Sequence, residues 1–158
     1  MPSPEHAADL ERVLTRAAKE CESQERIWFG NGLPLALRVS IESGGKKPAK
    51  RPAEIAFVEV RGVTPEGRAR TDAVPSGLRC PVVGLSICTL DELGSLVRPQ
   101  CEPGIDIARL ICPVGVFDFS SDGIRVREVR HGLTAADLQR ALSTTLWSGP
   151  DLKELGTH

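Results

Sequence analysis

Apolar and charged residues alternate with helical spacing near the start of the chain. The apolar positions are Leu10, Val13, Leu14, Ala17 and Cys21, and charged residues occupy many of the positions between them. This pattern predicts an amphipathic helix of about four turns. Three consecutive apolar residues at 27–29 then predict a short buried strand.

The middle of the chain contains an apolar segment, then a Gly/Pro-rich basic segment, then apolar runs again. Pro34 suits the first turn of a helix, and the apolar stretch from Leu35 to Ile41 predicts that a second helix follows it. The segment 43–53 holds two Gly, two Pro and four basic residues, so it can bury little and is predicted to be a loop. Strand-like runs follow at 54–60 and 82–88, with a turn at 64–67.

The last third of the chain predicts an unbroken series of elements. Apolar runs at 108–111 and 114–119 predict strands, and SSDG at 120–123 predicts a hairpin turn. Apolar and charged residues alternate at 124–129, as in a half-exposed strand. Thr89 with Glu92, and Thr134 with Asp137, place a capping residue three positions before a carboxylate and so predict two helix starts. A short strand is expected to close the series.

Buried strands that alternate with helices favour an α/β fold. We therefore predict a mainly parallel open sheet flanked by helices, with a C-terminal antiparallel hairpin. At 158 residues the chain is long enough for one domain, predicted to span 1–158 with a basic Gly/Pro linker at 43–53.

Composition narrows the classes of function. The net charge of −1 gives no electrostatic reason to bind nucleic acid or an anionic membrane. No apolar run approaches the about 20 residues of a membrane span, and the N-terminus lacks the pattern of a secretory signal. The five cysteines form no CxxC pair, which argues against a metal site and favours small buried side chains. A cytoplasmic protein is expected.

Three segments resemble the β subunit of family I coenzyme A transferases. Residues 12–37 resemble the family's opening helix, strand and GxGxP loop, which here reads Gly30, Asn31, Gly32, Leu33, Pro34. Residues 53–70 resemble a later strand and turn. The closing segment matches the family in order at Val116, Phe117, Asp118, Gly123, Gly132, Leu133 and Thr134. The resemblance implies the fold shared by these transferases, ribose-phosphate isomerases and glucosamine-phosphate deaminases.

The chain departs from the family where the nucleophile is expected. Active members carry a Ser-Glu-Asn-Gly motif after the glycine loop, a helix and another strand, and the Glu carboxylate attacks acyl-CoA. Only seven residues separate Pro34 from Glu42 here, too few for that helix and strand. Glu42, followed by Ser43 and Gly44, is the candidate catalytic carboxylate; the alternative is a solvated residue at a helix end.

The resemblance also implies candidate ligand-binding residues for coenzyme A or acyl-CoA. Gly30, Asn31 and Gly32 follow a strand, where backbone N–H groups can cradle a phosphate or carboxylate; the alternative is a structural turn. Lys46 and Lys47, with Lys50 and Arg51, can contact a cofactor phosphate, or they are solvated linker residues. His131 precedes a helix cap and is interpreted as a loop residue.

Two functions of different classes remain open. In the first, the chain is a CoA-transferase-like subunit of an acyl-CoA-processing heteromer, with an α-type subunit as partner, or it self-associates. In the second, it keeps the fold as a non-catalytic binding or stabilising subunit, because its own catalytic motif is degenerate. A sugar-phosphate isomerase activity shares the fold but has no motif in this sequence.

Overall fold

Apolar runs in the sequence become the central strands of a sheet in a computed structural model of the protein. The structure describes residues 4–22, 24, 26–30, 32–43, 54–71, 79–99 and 104–155. The helices are α1 (Pro4–Cys21), α2 (Leu33–Ser43), α3 (Leu90–Leu96) and α4 (Ala135–Ala141). The strands are β1 (Ile27–Phe29), β2 (Ile55–Glu59), β3 (Gly62–Val63), β4 (Arg68–Arg70), β5 (Val82–Leu85), β6 (Ile105–Asp106), β7 (Arg109–Cys112), β8 (Gly115–Ser120), β9 (Gly123–Arg130) and β10 (Leu146–Leu155).

Seven strands form the main sheet in the order β1-β2-β5-β7-β8-β9-β10. The first four of these are parallel, β7, β8 and β9 are antiparallel neighbours, and β10 runs parallel to β9. A second sheet of three antiparallel strands has the order β3-β4-β6. The predicted fold class, a mainly parallel open sheet with flanking helices and a C-terminal hairpin, is confirmed.

The central strands are buried on both faces. In β2, Ile55 and Phe57 pack with α1 and α2, whereas Ala56 and Val58 point to the opposite face, toward the core beneath α3 and α4. Successive side chains of a strand point to opposite faces, so an apolar residue at every position requires cover on both sides. The layer of α1 and α2 and the layer that contains α3 and α4 provide that cover.

Several local predictions are confirmed. Both short helices begin with a reciprocal capping box, Thr89 with Glu92 in α3 and Thr134 with Asp137 in α4. Ser120 pairs with Gly123 across the predicted hairpin turn. The helix α2 extends beyond its predicted apolar stretch at both ends, and α1 begins six residues before Leu10. The strand β5 ends at Leu85, three residues before the predicted end.

Two features differ from the sequence expectation. The sequence did not predict the small sheet of β3, β4 and β6. The last strand, β10, is ten residues long, whereas a short strand was expected. Its register against β9 shifts between Ser148 and Lys153, around Pro150. Because proline lacks a backbone N–H, it interrupts the ladder there and leaves a bulge. None of the described helices is both long enough and apolar enough to cross a membrane.

A chain of ion pairs joins α1 to the sheet. Arg16 Nη2 lies 2.6 Å from Glu128 Oε2, and Glu20 contacts both Arg16 and Arg109. Arg109 donates two hydrogen bonds to Asp118, with its Nε 2.6 Å and its Nη2 3.1 Å from the carboxylate oxygens. These pairs hold the polar side of α1 at one position on β7, β8 and β9.

Asp118 sits at the centre of this network, because Arg127 Nε also donates to it at 2.8 Å. Its side chain is 24% exposed. Burial raises the pKa of Asp118, but the hydrogen bonds from Arg109 and Arg127 outweigh burial, and the net shift is below the ordinary value.

We expect Asp118→Asn to lower the free energy of unfolding by about 1–2 kcal/mol, because two guanidinium groups lose their shared carboxylate. Urea unfolding near neutral pH measures the change. Asp106→Asn is the matched control, since Asp106 is 81% exposed and pairs with Arg68 at 3.4 Å; it should leave the free energy within measurement error. Equal effects of the two substitutions would contradict a special role for Asp118.

Acidification should remove the contribution of Asp118. A carboxylate with a folded pKa below its unfolded value, about 3.9, stabilises the fold above that value and loses its contribution as the pH falls toward the folded pKa. Below about pH 4, the wild-type protein should therefore lose stability more steeply than Asp118→Asn. Unfolding curves recorded from neutral pH downward measure this slope, and parallel profiles for the two proteins would refute the expectation.

Candidate functional site

The carboxyl ends of β1 and β2 meet at a glycine turn. The Gly30 backbone N–H donates to the Phe57 carbonyl at 2.9 Å, which holds the chain against β2 just after β1 ends. Gly32 has a φ of +80°, a left-handed conformation that favours glycine, and its carbonyl accepts from the Leu35 N–H at 3.0 Å. The turn therefore passes directly into the first turn of α2.

A carboxylate lies against this turn. A Cβ placed on Gly32 would come within 2.6 Å of Glu59 Oε2, so the Glu59 carboxylate lies against the backbone of the turn and would have to move aside for any larger residue. Glu59 is the last residue of β2, and its side chain is 29% exposed. Arg61 Nη2 lies 3.8 Å from Glu59 Oε2. The Glu59 carboxylate is therefore partly shielded from water. It lies against the backbone at Gly32 and near the Arg61 guanidinium.

Sequence reasoning did not select Glu59. It was included in a strand at 54–60, and the one available signal was its position as a charged residue at the end of an apolar run. In a parallel sheet such an end is where ligands bind, but the sequence gives no partner for the side chain. Its contact with Gly32 depends on the pairing of β1 with β2, in which Phe29 lies opposite Phe57.

The sequence-predicted site residues are only partly described. Gly30 and Gly32 form the turn, whereas Asn31, Lys46 and Lys47 lie outside the described residues. Glu42 belongs to the last turn of α2, and its side chain is also outside the described part. Since α2 starts directly after Gly32, Glu42 is separated from the turn by about 15 Å of helix.

A second concave region lies at the carboxyl ends of β5 and β7. It is a cleft of about 620 Å³, lined on one side by the first turns of α1 and on the other by Thr89, Val114 and His131. The His131 ring is exposed and contacts Glu154, in agreement with its interpretation as a loop residue. Within the described ranges, no group of three or more His, Cys, Asp or Glu side chains is placed to hold a metal ion.

Comparison with known proteins identifies the fold. No protein-family model and no curated protein sequence matches the chain. Among solved structures, the chain is similar to the decarboxylase AibA/AibB, with a TM-score of 0.68, 13% identity, and coverage of 94% of this chain and 89% of that one. The chain is also similar to glutaconate coenzyme A-transferase from Acidaminococcus fermentans, with a TM-score of 0.67 and 10% identity. That match covers 94% of this chain and 89% of the transferase chain.

A third similar structure is the acyl-CoA transferase YdiF from Escherichia coli O157:H7. Its TM-score is 0.68 with 12% identity, and the match covers 92% of this chain but 43% of that one. The chain therefore has a CoA-transferase-like fold, as its sequence resemblance implied. At identities this low, the comparisons define the fold and leave the activity to the residues of the site.

Gly32→Ala tests the contact between the glycine turn and Glu59. The substitution should cost about 1 kcal/mol because of the positive φ, and Glu59 should swing away, since its carboxylate is the end of a flexible side chain. Gly132→Ala is the control, because Gly132 has a φ of +88° but open space around it. We expect similar stabilities by urea unfolding, with the Glu59 carboxyl ¹³C resonance shifted only by Gly32→Ala. An unmoved resonance would contradict the contact.

Proposed function

We propose that the chain is a CoA-transferase-like subunit that processes acyl-CoA together with a partner subunit. The observation that carries this proposal is the Glu59 carboxylate against Gly32, at the carboxyl ends of parallel strands in a CoA-transferase-like fold. Acyl transfer through a carboxylate needs such a group in a partly dry site, with backbone N–H groups close to the developing oxyanion.

The proposed reaction begins with attack of a carboxylate oxygen on the thioester carbonyl of acyl-CoA. The C–S bond breaks, CoA leaves as a thiolate, and a mixed anhydride forms. The thiolate then attacks the side-chain carbonyl, which releases the acyl group as a carboxylate and leaves a glutamyl thioester. Glu42 and Glu59 are the two candidates in this chain for the nucleophile, and the contact with the glycine turn favours Glu59.

The same turn is the proposed place for the ligand. Backbone N–H groups of Asn31 and Gly32 would donate to an oxyanion or phosphate, while Gly30 would hold the turn in place through its N–H bond to the Phe57 carbonyl. Lys46 and Lys47 would neutralise phosphates of coenzyme A. The similar YdiF structure includes a thioester complex with CoA, which supports CoA as the ligand class. No step of this proposal uses a metal ion.

The proposed partner is an α-type CoA-transferase subunit, with self-association as the alternative. AibA/AibB is named as two components. The YdiF chain is more than twice as long as the part matched here, since the match covers 43% of it. Both observations favour an assembly in which this chain is one half.

A non-catalytic stabilising subunit is the second candidate function. It is favoured by the sequence after the glycine loop, which contains no Ser-Glu-Asn-Gly motif. In that case the fold and the partner contact would persist while acyl-CoA turnover required no residue of this chain.

A covalent adduct distinguishes the two functions. The chain, purified with any partner that accompanies it, is incubated with acyl-CoA and examined by intact mass spectrometry. We expect a CoA adduct that Glu59→Ala removes if Glu59 is the nucleophile, or that Glu42→Ala removes if Glu42 is. Glu66→Ala, in the exposed turn before Gly67, is the control and should retain the adduct. A partner complex that forms no adduct, and whose turnover survives all three substitutions, would establish the stabilising role instead.

A further inference from the structure

An exposed tryptophan lies beside the hairpin turn between β8 and β9. Trp147, in β10, is 54% exposed, and it is paired in the sheet with Arg125 of β9. Its indole lies against the turn, since Nε1 is 3.4 Å from the position that a Cβ would take on Gly123. The ladder and the turn therefore hold a large apolar ring in one place, although water still reaches it.

The indole forms one wall of a small cleft. The other lining residues are Ser120, Asp122, Gly123 and Arg125, and the cleft has a volume of about 420 Å³. We call these four residues and Trp147 the hairpin surface. It lies where β8 ends and β9 begins, and β8 runs antiparallel to β7. The hairpin surface is therefore at the edge of the sheet opposite to the glycine turn.

Two charges of the hairpin surface have no counter-ion nearby. Arg125 and Asp122 are both exposed, and in the part of the chain that the structure describes neither side chain has an oppositely charged group within 4.0 Å. Two carboxylates on β8 and β10, those of Asp118 and Asp151, are already paired with Arg127 at 2.8 and 2.6 Å. The hairpin surface thus presents one cation and one carboxylate to a partner.

The edge of β10 is poorly suited to the addition of another strand, although β10 is the last strand of the main sheet. The Leu146 N–H donates to Gln139 Oε1 at 2.7 Å, and Pro150 has no N–H. Proline and charged residues on an edge strand oppose pairing with another chain. A partner would therefore bind through the side chains of the hairpin surface rather than by extending the sheet.

We propose that a second copy of this chain binds the hairpin surface, in a dimer with two-fold symmetry. A two-fold axis brings the same surface of both copies together, so that surface has to be complementary to itself. Arg125 of one copy then faces Asp122 of the other, twice in each dimer, and the two Trp147 rings lie near the axis.

The charges of the hairpin surface favour an identical copy over another protein. A strongly acidic or strongly basic partner would place a like charge opposite Asp122 or Arg125, whereas an identical surface pairs both. Tryptophan and arginine are also enriched among the residues that contribute most to the binding energy of interfaces. The dimer leaves the glycine turn uncovered, so the inference is independent of the proposed acyl-CoA function.

Sedimentation velocity of the full chain over a concentration series tests the proposal. We expect a reversible monomer–dimer equilibrium whose dissociation constant rises about 30-fold or more in Trp147→Ala, because the central contact is removed. Val39→Ala is the matched control, since Val39 is 65% exposed but lies on α2, and it should leave the equilibrium unchanged. Circular dichroism checks that both variants fold.

Two results of this measurement would overturn the proposal. One is a chain that stays monomeric up to about 1 mM. The other is a dimer whose dissociation constant is the same in Trp147→Ala and in the wild-type protein. If Trp147→Ala instead releases a co-purified partner protein and leaves self-association unchanged, the hairpin surface binds that partner and the proposal fails.

Charge reversal tests the two-fold pairing. Arg125→Asp alone brings carboxylates together across the axis, and Asp122→Arg alone brings guanidinium groups together, so each should weaken the dimer about tenfold or more. The double variant restores opposite charges and should recover most of the wild-type affinity. Asp91→Arg, at an exposed position in the first turn of α3, is the control and should have no effect. A double variant that dimerises no better than the single variants would refute the pairing.

Discussion

Strands β2 and β5 carry apolar side chains or glycine at nearly every position, and this double-sided burial governs the rest of the fold. Water must be excluded from both faces, so one helical layer is required on each side. Between β1 and β2 that requirement is met by α2, which starts at the glycine turn. The carboxyl ends of β1, β2, β5 and β7 consequently lie along one edge of the sheet, where side chains after each strand become neighbours.

The ion pairs of α1 fix the position of the helix on the sheet, which burial of its apolar side chains does not do. Apolar contacts of Val13 and Ala17 can accept a range of helix positions, because the hydrophobic effect has no direction. Hydrogen-bonded pairs such as Arg16 with Glu128 are compatible with far fewer helix positions, since their geometry is specific. Partly buried pairs of this kind add little net stability but favour one arrangement over its alternatives. The placement of α1 over β7 to β9 follows from this constraint.

The features that the sequence predicted correctly depend on neighbours along the chain. The capping boxes at Thr89 and Thr134 need only residues three positions away, and the turn at 120–123 needs only its own four residues. The small sheet could not be predicted this way, because Ala69 pairs with Ile105 across 36 positions and each strand is two or three residues long. Such short strands carry no periodic pattern that distinguishes them from loops.

The candidate site was predictable to the same limited extent. The glycines at 30 and 32 are a local signal, and they were enough to predict the turn. The side chains that could react or bind there come from residues distant in sequence, so the sequence alone did not identify them. Glu59 reaches Gly32 because β2 lies beside β1. The carboxyl edge of a parallel sheet thus brings together polar groups from segments that are distant in sequence, because each strand places its end beside that of its neighbour. For this chain, the carboxylate beside the glycine turn is that of Glu59 at the end of β2, which the pairing of β1 with β2 brings there.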